Sequence, residues 1–140
     1  MKGFRELRFP DRKRKELLLK DLCARLPYGV KVKKGDKVRT VRLIDIIGEG
    51  AVSFIEPDFL YIFNQRHMIK PYLRPMSSMT KEEEKIFNDF LEFQAEYVSD
   101  FDLSNKVDMY DWLNAHHFDY RDLIKKDLAL EAPEGMYKIE

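Results

Sequence analysis

The sequence is poor in cysteine and histidine, and it contains no long apolar run. Cys23 is the only cysteine among 140 residues, so no disulfide bond can form within the chain. No apolar stretch approaches the ~18 residues that a membrane-spanning helix requires. The N-terminal sequence MKGFRELRFPDRKRK lacks the apolar segment of a signal peptide. We therefore expect a cytoplasmic protein that does not contact a membrane.

The common catalytic motifs are also missing. The chain has no Gly-x-Ser-x-Gly nucleophile motif, and Gly48-Glu49-Gly50 is too short to form a phosphate-binding loop. Ser77 and Ser78 precede a predicted helix, where hydroxyl groups commonly cap the first turn. The sequence therefore predicts no catalytic residue and no cofactor, and an enzyme is the least supported class of function.

Two of the three histidines lie in the stretch WLNAHHFDY, at residues 112–120. A helix through this stretch carries one apolar stripe at the spacings i, i+3, i+4 and i+7. The stripe consists of Met109, Trp112, Leu113 and His116. His117 is rotated by about 100° from His116, so we expect His116 to pack inward and His117 to be exposed. Histidines that diverge in this way do not chelate one ion together, and we predict no metal site.

The net charge of zero conceals two oppositely charged parts. Residues 1–42 contain fifteen Lys or Arg and five Asp or Glu, whereas residues 43–140 contain ten and twenty, respectively. A basic N-terminal third is typical of proteins that contact phosphates or an acidic partner. It can equally pair with the acidic C-terminal part of the same chain. The sequence leaves these alternatives open.

The first helix is predicted to begin near Lys15 or Glu16 and to end near Leu26. Asp11 can cap it, but the four basic residues that follow Asp11 oppose the helix dipole, which moves the expected start toward Lys15. Pro27 ends the helix. The predicted buried stripe consists of Leu19, Leu22, Cys23 and Leu26. We therefore expect Cys23 to be a buried apolar residue rather than a reactive thiol.

Short β-like runs follow the first helix. They are rich in β-branched and aromatic residues and occupy residues 29–33, 38–47, 51–55 and 59–63. Strands that are so short and so closely joined predict a small SH3-like β-barrel or a bent antiparallel sheet. Pro71 and Pro75 exclude regular pairing in the segment KPYLRP, which we expect to run extended along an edge or over the surface.

The C-terminal half is predicted to be helical. Thr80 and Glu83 form a capping-box pattern for a helix that reaches about Tyr97. A second helix is expected from about Lys106 to His116 or His117. Shorter elements follow: a third helix over 120–126 and a terminal strand over 128–132.

The predicted fold class is α+β, with an N-terminal helix, a small SH3-like barrel or bent sheet, and a helical C-terminal part. Three regions are expected in the chain. They are a basic extension over residues 1–14, the helix with the small β-barrel over 15–76, and an acidic helical region over 77–140 packed on it.

Two groups of residues are candidate binding sites. The candidate nucleic-acid site consists of Lys31, Lys33, Lys34, Lys37, Arg39 and Arg42. Lys31 and Lys33 must share one strand face, because side chains alternate along a strand. The candidate partner-binding residues are Tyr61, Tyr72 and Arg74. The first functional hypothesis is a small interaction module that binds another protein or a second copy of itself, and the alternative is a nucleic-acid-binding accessory protein.

Three segments resemble a family of small proteins without an established activity, encoded by gut Bacteroidales and their phages or mobile elements. The segments are KELLLKDLCARLPYGVKV, IKPYLRPMSSMT and WLNAHHFDYRDLIKKDLALEAPEGMY. Similar proteins begin near Lys15 and often carry glycine where Asp122 and Asp127 stand here. Glycine at position 127 would suit a left-handed helix end. The resemblance implies an intracellular accessory protein that acts by binding, and it implies no catalytic residue.

Replacing Trp112 with Ala is expected to lower the free energy of unfolding by roughly 3–5 kcal/mol, as truncations of large core side chains do. Denaturant unfolding of the wild type and the variant measures the difference. A well-folded variant with an unchanged melting temperature would show that Trp112 is not packed in the core.

Overall fold

A computed structural model describes residues 9–45, 51–55, 61–62, 69–96 and 103–137. Its architecture is α+β, as predicted. The helices are α1 (Phe9–Arg25), α2 (Lys81–Glu96) and α3 (Leu103–Ala115). The strands are β1 (Lys31–Lys34), β2 (Lys37–Asp45), β3 (Ala51–Phe54), β4 (Tyr61–Ile62), β5 (Lys70–Leu73) and β6 (Leu130–Glu131). Among the described residues, no helix is both long and apolar enough to cross a membrane.

Helix α1 begins earlier than predicted. It starts at Phe9 rather than near Lys15, so residues 9–14 of the expected extension are helical. Proline is tolerated in the first turn of a helix, where its missing N–H has no partner within the helix. The basic run is also supported by tertiary contacts, because Arg14 Nη1 donates a hydrogen bond of 2.8 Å to the Lys126 carbonyl. A long-range contact of this kind is invisible in the local pattern of charges.

The buried face of α1 differs from the predicted stripe. Leu18 and Leu22 are fully buried and pack against the sheet, but Cys23 is exposed. The prediction that Cys23 is buried is therefore wrong. The reason is that two charged residues, Asp21 and Arg25, occupy the buried face together with the leucines. Charged side chains are rarely buried unless they are paired, so the prediction counted only apolar residues as buried. This placed the buried stripe one position too far round the helix.

The strands form one six-stranded sheet in the order β4-β3-β2-β1-β5-β6. All neighbours from β4 to β5 are antiparallel, as predicted, whereas β6 lies parallel to β5. Arg42 is an extra residue in β2 that interrupts the pairing with β3, and a bulge of this kind bends the strand. Among the described residues no pairing joins the edge strands β4 and β6. The sheet is therefore open and mixed, and the predicted closure into a barrel is not found.

Strand β5 lies inside the sheet, which contradicts the prediction for the segment KPYLRP. It pairs with β1 on one side and with β6 on the other. Pro71 is opposite Val32, and its side chain is buried. The missing N–H of Pro71 is tolerated because the pairing with β1 covers only two positions, and the pairing with β6 begins only at Tyr72. Pro71 thus contributes apolar surface to the core at little cost in ladder hydrogen bonds.

Helices α2 and α3 pack together around a separate cluster of buried residues, Met109, Leu113 and Phe118. The predicted capping box is confirmed, because the Glu83 N–H donates to Thr80 Oγ1 at 3.1 Å and the Thr80 N–H donates to Glu83 Oε1 at 2.9 Å. Trp112 is half-buried and packs inward against Phe90 and Phe118, at ring distances of 6.1 and 5.6 Å. The inward position of Trp112 agrees with the sequence analysis.

The predicted third helix is not formed, and residues 120–127 make a series of turns. The Asp119 carboxylate accepts hydrogen bonds from the N–H groups of Leu123 and Ile124, at 2.7 and 3.0 Å, and so holds these turns rather than the start of a helix. Asp122 and Asp127 have positive φ angles of 63° and 59°. These left-handed residues interrupt any helix.

Replacing Asp122 with Gly is expected to raise the free energy of unfolding by roughly 0.5 kcal/mol, because glycine adopts a positive φ without the steric cost that Asp incurs. The control is Glu92→Gly on the exposed side of α2, which is expected to lower it by about 0.5–1 kcal/mol. Denaturant unfolding compares the two variants with the wild type. Equal losses of stability would contradict the assigned conformation of Asp122.

Candidate functional site

A fully buried ion pair joins two residues of α1. Arg25 Nε lies 2.8 Å from Asp21 Oδ2, and Arg25 Nη2 lies 3.1 Å from Asp21 Oδ1. Both side chains have no exposure to solvent. The two parallel bonds match the planar guanidinium to the carboxylate, which is the strongest geometry for such a pair. Their spacing of i and i+4 with opposite charges, within a run of leucines, is the sequence signal that would have identified them.

The buried arginine also holds the segment that follows α3. Arg25 Nη2 donates a hydrogen bond of 2.6 Å to the Phe118 carbonyl. Arg121 Nη1 lies 3.2 Å from Asp21 Oδ1 and thus adds a second cation to the same carboxylate. Arg25 is also 5.3 Å from the centre of the Tyr120 ring. Helix α1 is therefore tied to residues 118–121 through charge-assisted contacts.

Of the two adjacent histidines, His117 and not His116 is the buried one. Helix α3 ends at Ala115, and His117 has a φ of 60°. The His117 N–H donates to the Asn114 carbonyl and the Phe118 N–H donates to the Leu113 carbonyl, which is the Schellman pattern of a helix end. Because His117 itself adopts the left-handed conformation, its side chain turns inward and is only 3% exposed. The prediction failed because it continued the helical rotation past the point where the helix stops.

The His117 ring is neutral and has one free nitrogen. Its Nε2–H donates a hydrogen bond of 3.1 Å to the Tyr28 carbonyl. Burial, together with the nearby positive charge of Arg25, lowers the pKa of His117 to about 3. Its Nδ1 is buried without a hydrogen-bond partner, as is Arg25 Nη1. Within the described residues, no three His, Cys, Asp or Glu side chains are grouped as ligands for a metal ion.

Tyr137 connects this buried cluster to the sheet. Its ring stacks on His117 at 3.7 Å between centroids, with the planes 18° apart. The Tyr137 hydroxyl accepts a hydrogen bond of 2.8 Å from the Lys31 N–H and donates one of 2.8 Å to the Tyr72 carbonyl. Burial raises the pKa of Tyr137 well above its ordinary value, so the hydroxyl stays protonated. Tyr137 thus joins β1 and β5 where their direct pairing ends.

Arg74, a predicted partner-binding residue, is used mainly within the fold. Its Nη1 and Nη2 lie 2.9 and 2.7 Å from the two carboxylate oxygens of Glu83. The hydrogen bond from Arg74 holds the pKa of Glu83 below its ordinary value. The guanidinium carbon is also 4.2 Å from the centre of the Phe118 ring. The arginine therefore links β5, the start of α2 and the segment after α3.

A groove of about 540 Å³ lies beside Arg74. One wall is formed by Arg74, Pro75, Ser78 and Thr80, and the other by residues 131–135 and Tyr137. Glu131 and Glu134 are exposed, and neither forms an ion pair or hydrogen bond with another described residue. Among these residues only Arg74 is a site residue predicted from the sequence. The rest are brought together by the sheet pairing of β6 and by the turn after it.

The other predicted partner-binding residues do not line this groove. Tyr72 is half-buried on β5, and its carbonyl accepts the Tyr137 hydrogen bond. Tyr61 belongs to β4, but its side chain lies outside the described residues.

The six predicted nucleic-acid-binding residues are not gathered on one surface. Lys31 and Lys33 share the outer face of β1, opposite the buried Val32. Strand alternation and register place Lys34, Lys37 and Arg39 on the other face, and Arg42 lies at the bulge. Lys31 Nζ donates to Thr40 Oγ1 at 3.0 Å, and Lys34 Nζ lies 5.7 Å from the centre of the Phe54 ring. The positive charge is thus divided between two faces of the sheet.

Comparison with known proteins gives no further assignment. No protein-family model, no curated protein and no solved structure matches this chain. The candidate site is therefore defined by its geometry alone.

The free energy of unfolding should fall as the pH is lowered from 6.5 to 4.5, a range above the ordinary pKa values of carboxylates. Below about pH 6.5 the unfolded chain binds a proton at residue 117 that the folded chain takes up only near pH 3. The free energy of unfolding is then expected to decrease between pH 6.5 and 4.5 by up to about 1.4 kcal/mol per pH unit. Denaturant unfolding across this pH range measures the slope.

The variant His117→Gln keeps a donor for the Tyr28 carbonyl but does not titrate. It is expected to be less stable at pH 7 and to lose most of the slope between pH 6.5 and 4.5. The control His116→Gln removes the half-buried neighbour and should retain the slope. A slope that survives in His117→Gln would show that residue 117 is not the titrating group.

Proposed function

We propose that this chain is a small protein-interaction module whose groove binds an extended segment of another protein. The observation that carries the proposal is a groove of about 540 Å³ with both walls held by the fold. The volume lies in the range of sites that enclose small ligands or a few side chains. A rigid groove loses little entropy on binding, which favours affinity for a short segment. The family resemblance adds that such a module would be an accessory protein of a phage or mobile element.

The first wall is rigid because its residues belong to one hydrogen-bonded network. Arg74 is bonded through both terminal nitrogens to Glu83, and Glu83 also accepts the Thr80 N–H. The Arg74 backbone is paired as well, since its N–H donates to the His117 carbonyl at 2.8 Å and its carbonyl accepts the Asp119 N–H at 2.8 Å. These contacts determine where Pro75 and Thr80 stand.

The second wall is attached to the sheet at both ends. The Ala132 N–H donates a hydrogen bond of 2.8 Å to the Leu73 carbonyl, next to the groove. The turn then closes through a bond of 3.1 Å from the Met136 N–H to the Pro133 carbonyl. Tyr137 anchors the end of the turn through its hydroxyl and its stacking on His117. The wall therefore exists before any ligand binds.

The chemistry of the lining favours a basic, extended peptide. Pro75, Pro133 and the Tyr137 ring offer apolar surfaces of the kind that contact extended and proline-containing segments. The carboxylates of Glu131 and Glu134 are exposed and lack partners among the described residues. A Lys or Arg side chain of a bound segment supplies the complementary charge. We therefore assign the groove to a segment with at least one basic side chain beside apolar residues.

The test compares two libraries of short, random-sequence peptides that differ only in a central residue, which is Arg in one and Glu in the other. The Arg library is expected to shift the amide NMR signals of residues 131–137 of the ¹⁵N-labelled protein. The double variant Glu131→Lys/Glu134→Lys should weaken binding by about tenfold or more, because it reverses both exposed charges.

The matched control is Glu82→Lys/Glu92→Lys, which makes the same change of net charge on the exposed side of α2. It is expected to bind the peptides like the wild type. A contrary result is the absence of shifts at residues 131–137, together with salt-dependent binding of labelled RNA or DNA that Lys31→Glu/Lys33→Glu abolishes. That outcome would assign the chain to the nucleic-acid-binding class instead.

A further inference from the structure

The outward face of α3 carries an apolar stripe that is largely exposed, although the Tyr110 ring also contacts the Tyr120 ring at 5.2 Å between centroids. Leu103, Val107 and Tyr110 are 62%, 55% and 45% exposed. Their spacings of four and three residues place them on one side of the helix. The side of α3 that faces the protein carries Met109 and Leu113, which are buried and lie roughly 90–130° round the helix from the centre of the stripe. Three large apolar side chains aligned on a solvent-facing stripe are typical of a helix that receives a partner.

The stripe follows the seam pattern of a coiled coil. In a heptad written a to g, Leu103 and Tyr110 occupy d positions and Val107 occupies the a position between them. The next a position is Asn114, which is buried and accepts a hydrogen bond of 2.8 Å from the Tyr120 hydroxyl. The seam is therefore limited to about two turns at the start of α3, and it ends where Tyr120 covers the helix.

The other helix of the pair does not cover this stripe. Helix α2 contacts α3 through Asn105 and Trp112, since Asn105 Nδ2 donates to the Phe90 carbonyl at 3.3 Å and Trp112 packs on the Phe90 ring. In a helix of 3.6 residues per turn, positions 105 and 112 lie about 160–180° away from the centre of the stripe. A partner on the stripe therefore leaves the contact between α2 and α3 intact.

The charges beside the stripe are complementary to those of a second, parallel copy of α3. Lys106 occupies the g position and Asp111 the e position, and neither pairs with another described residue. In a parallel, two-fold pair of helices, a g residue meets the e residue five positions further along the mate. Lys106 then faces Asp111 of the partner subunit, and the symmetry repeats the pair. An antiparallel two-fold pair would instead bring the two lysines to one side.

We propose that a second copy of this chain docks on α3, with the two helices parallel and related by a two-fold axis. The contact is self-complementary, as a closed dimer requires. Because α3 is already folded in each subunit, association does not have to nucleate a helix. The seam is short, so the dimer should be weak, with a dissociation constant in the micromolar range. This interaction is independent of the peptide-binding groove.

Sedimentation equilibrium of the full chain, from micromolar to millimolar concentration, provides the first test. The wild type is expected to pass from monomer to dimer, and Val107→Glu should weaken the association by about a hundredfold or more, because it places a charge in the seam. The control Leu91→Glu alters an exposed apolar residue on α2 and should dimerise like the wild type. A wild type that is monomeric throughout, or that dimerises unchanged in Val107→Glu, would overturn the proposal.

Disulfide cross-linking tests the direction of the helices. In a Cys23→Ser background, Leu103→Cys places one thiol at the d position near the start of α3. A parallel pair brings the two thiols of residue 103 together, and oxidation is expected to give a covalent dimer that the added Val107→Glu change prevents. An antiparallel pair separates them, so a dimer that forms without cross-linking would refute the parallel arrangement.

Discussion

The rest of the structure depends on the buried guanidinium of Arg25. A cation without access to solvent must be paired, and here Asp21 and the Phe118 carbonyl supply three hydrogen bonds. Leaving such a charge unpaired costs about 3–5 kcal/mol. The need to pair Arg25 therefore holds α1 against the residues that follow α3. Because Phe118 also forms a backbone bridge with Arg74, the same contact determines how the C-terminal segment meets the sheet.

Two series of contacts connect the residues around Arg25 and Phe118 to the groove. One runs from His117, which stacks on Tyr137, to the hydroxyl that joins β1 and β5. The other runs from Arg74 to Glu83 and the first turn of α2. Each series of contacts ends in one wall of the groove. The shape of the groove thus follows from polar groups that are buried behind it, since each hydrogen bond in a buried network restricts the positions of the other groups.

Local patterns predicted those parts of the fold that local forces decide. The capping box at Thr80 and Glu83, the alternation of Lys31 and Lys33 with valine, and the inward side of Trp112 all depend on neighbours within one turn or one strand. The predictions failed where distant partners decide. Cys23 is exposed because an ion pair takes its place in the core, and Pro71 is accepted in β5 because its pairing with β1 is short and the pairing with β6 begins only at Tyr72.

The sequence by itself determined the α+β class, the approximate order of helices and strands, and the separation of a basic N-terminal third from an acidic remainder, because periodicity, turn residues and charge are properties of short segments. Only the tertiary structure decided which histidine is buried, which arginine is solvent-free and where the groove lies. Glu131, Glu134 and Tyr137 join Arg74 through sheet pairing across about sixty residues of chain. Contacts at that separation are selected by the packing of the whole core, and no short stretch of sequence encodes them.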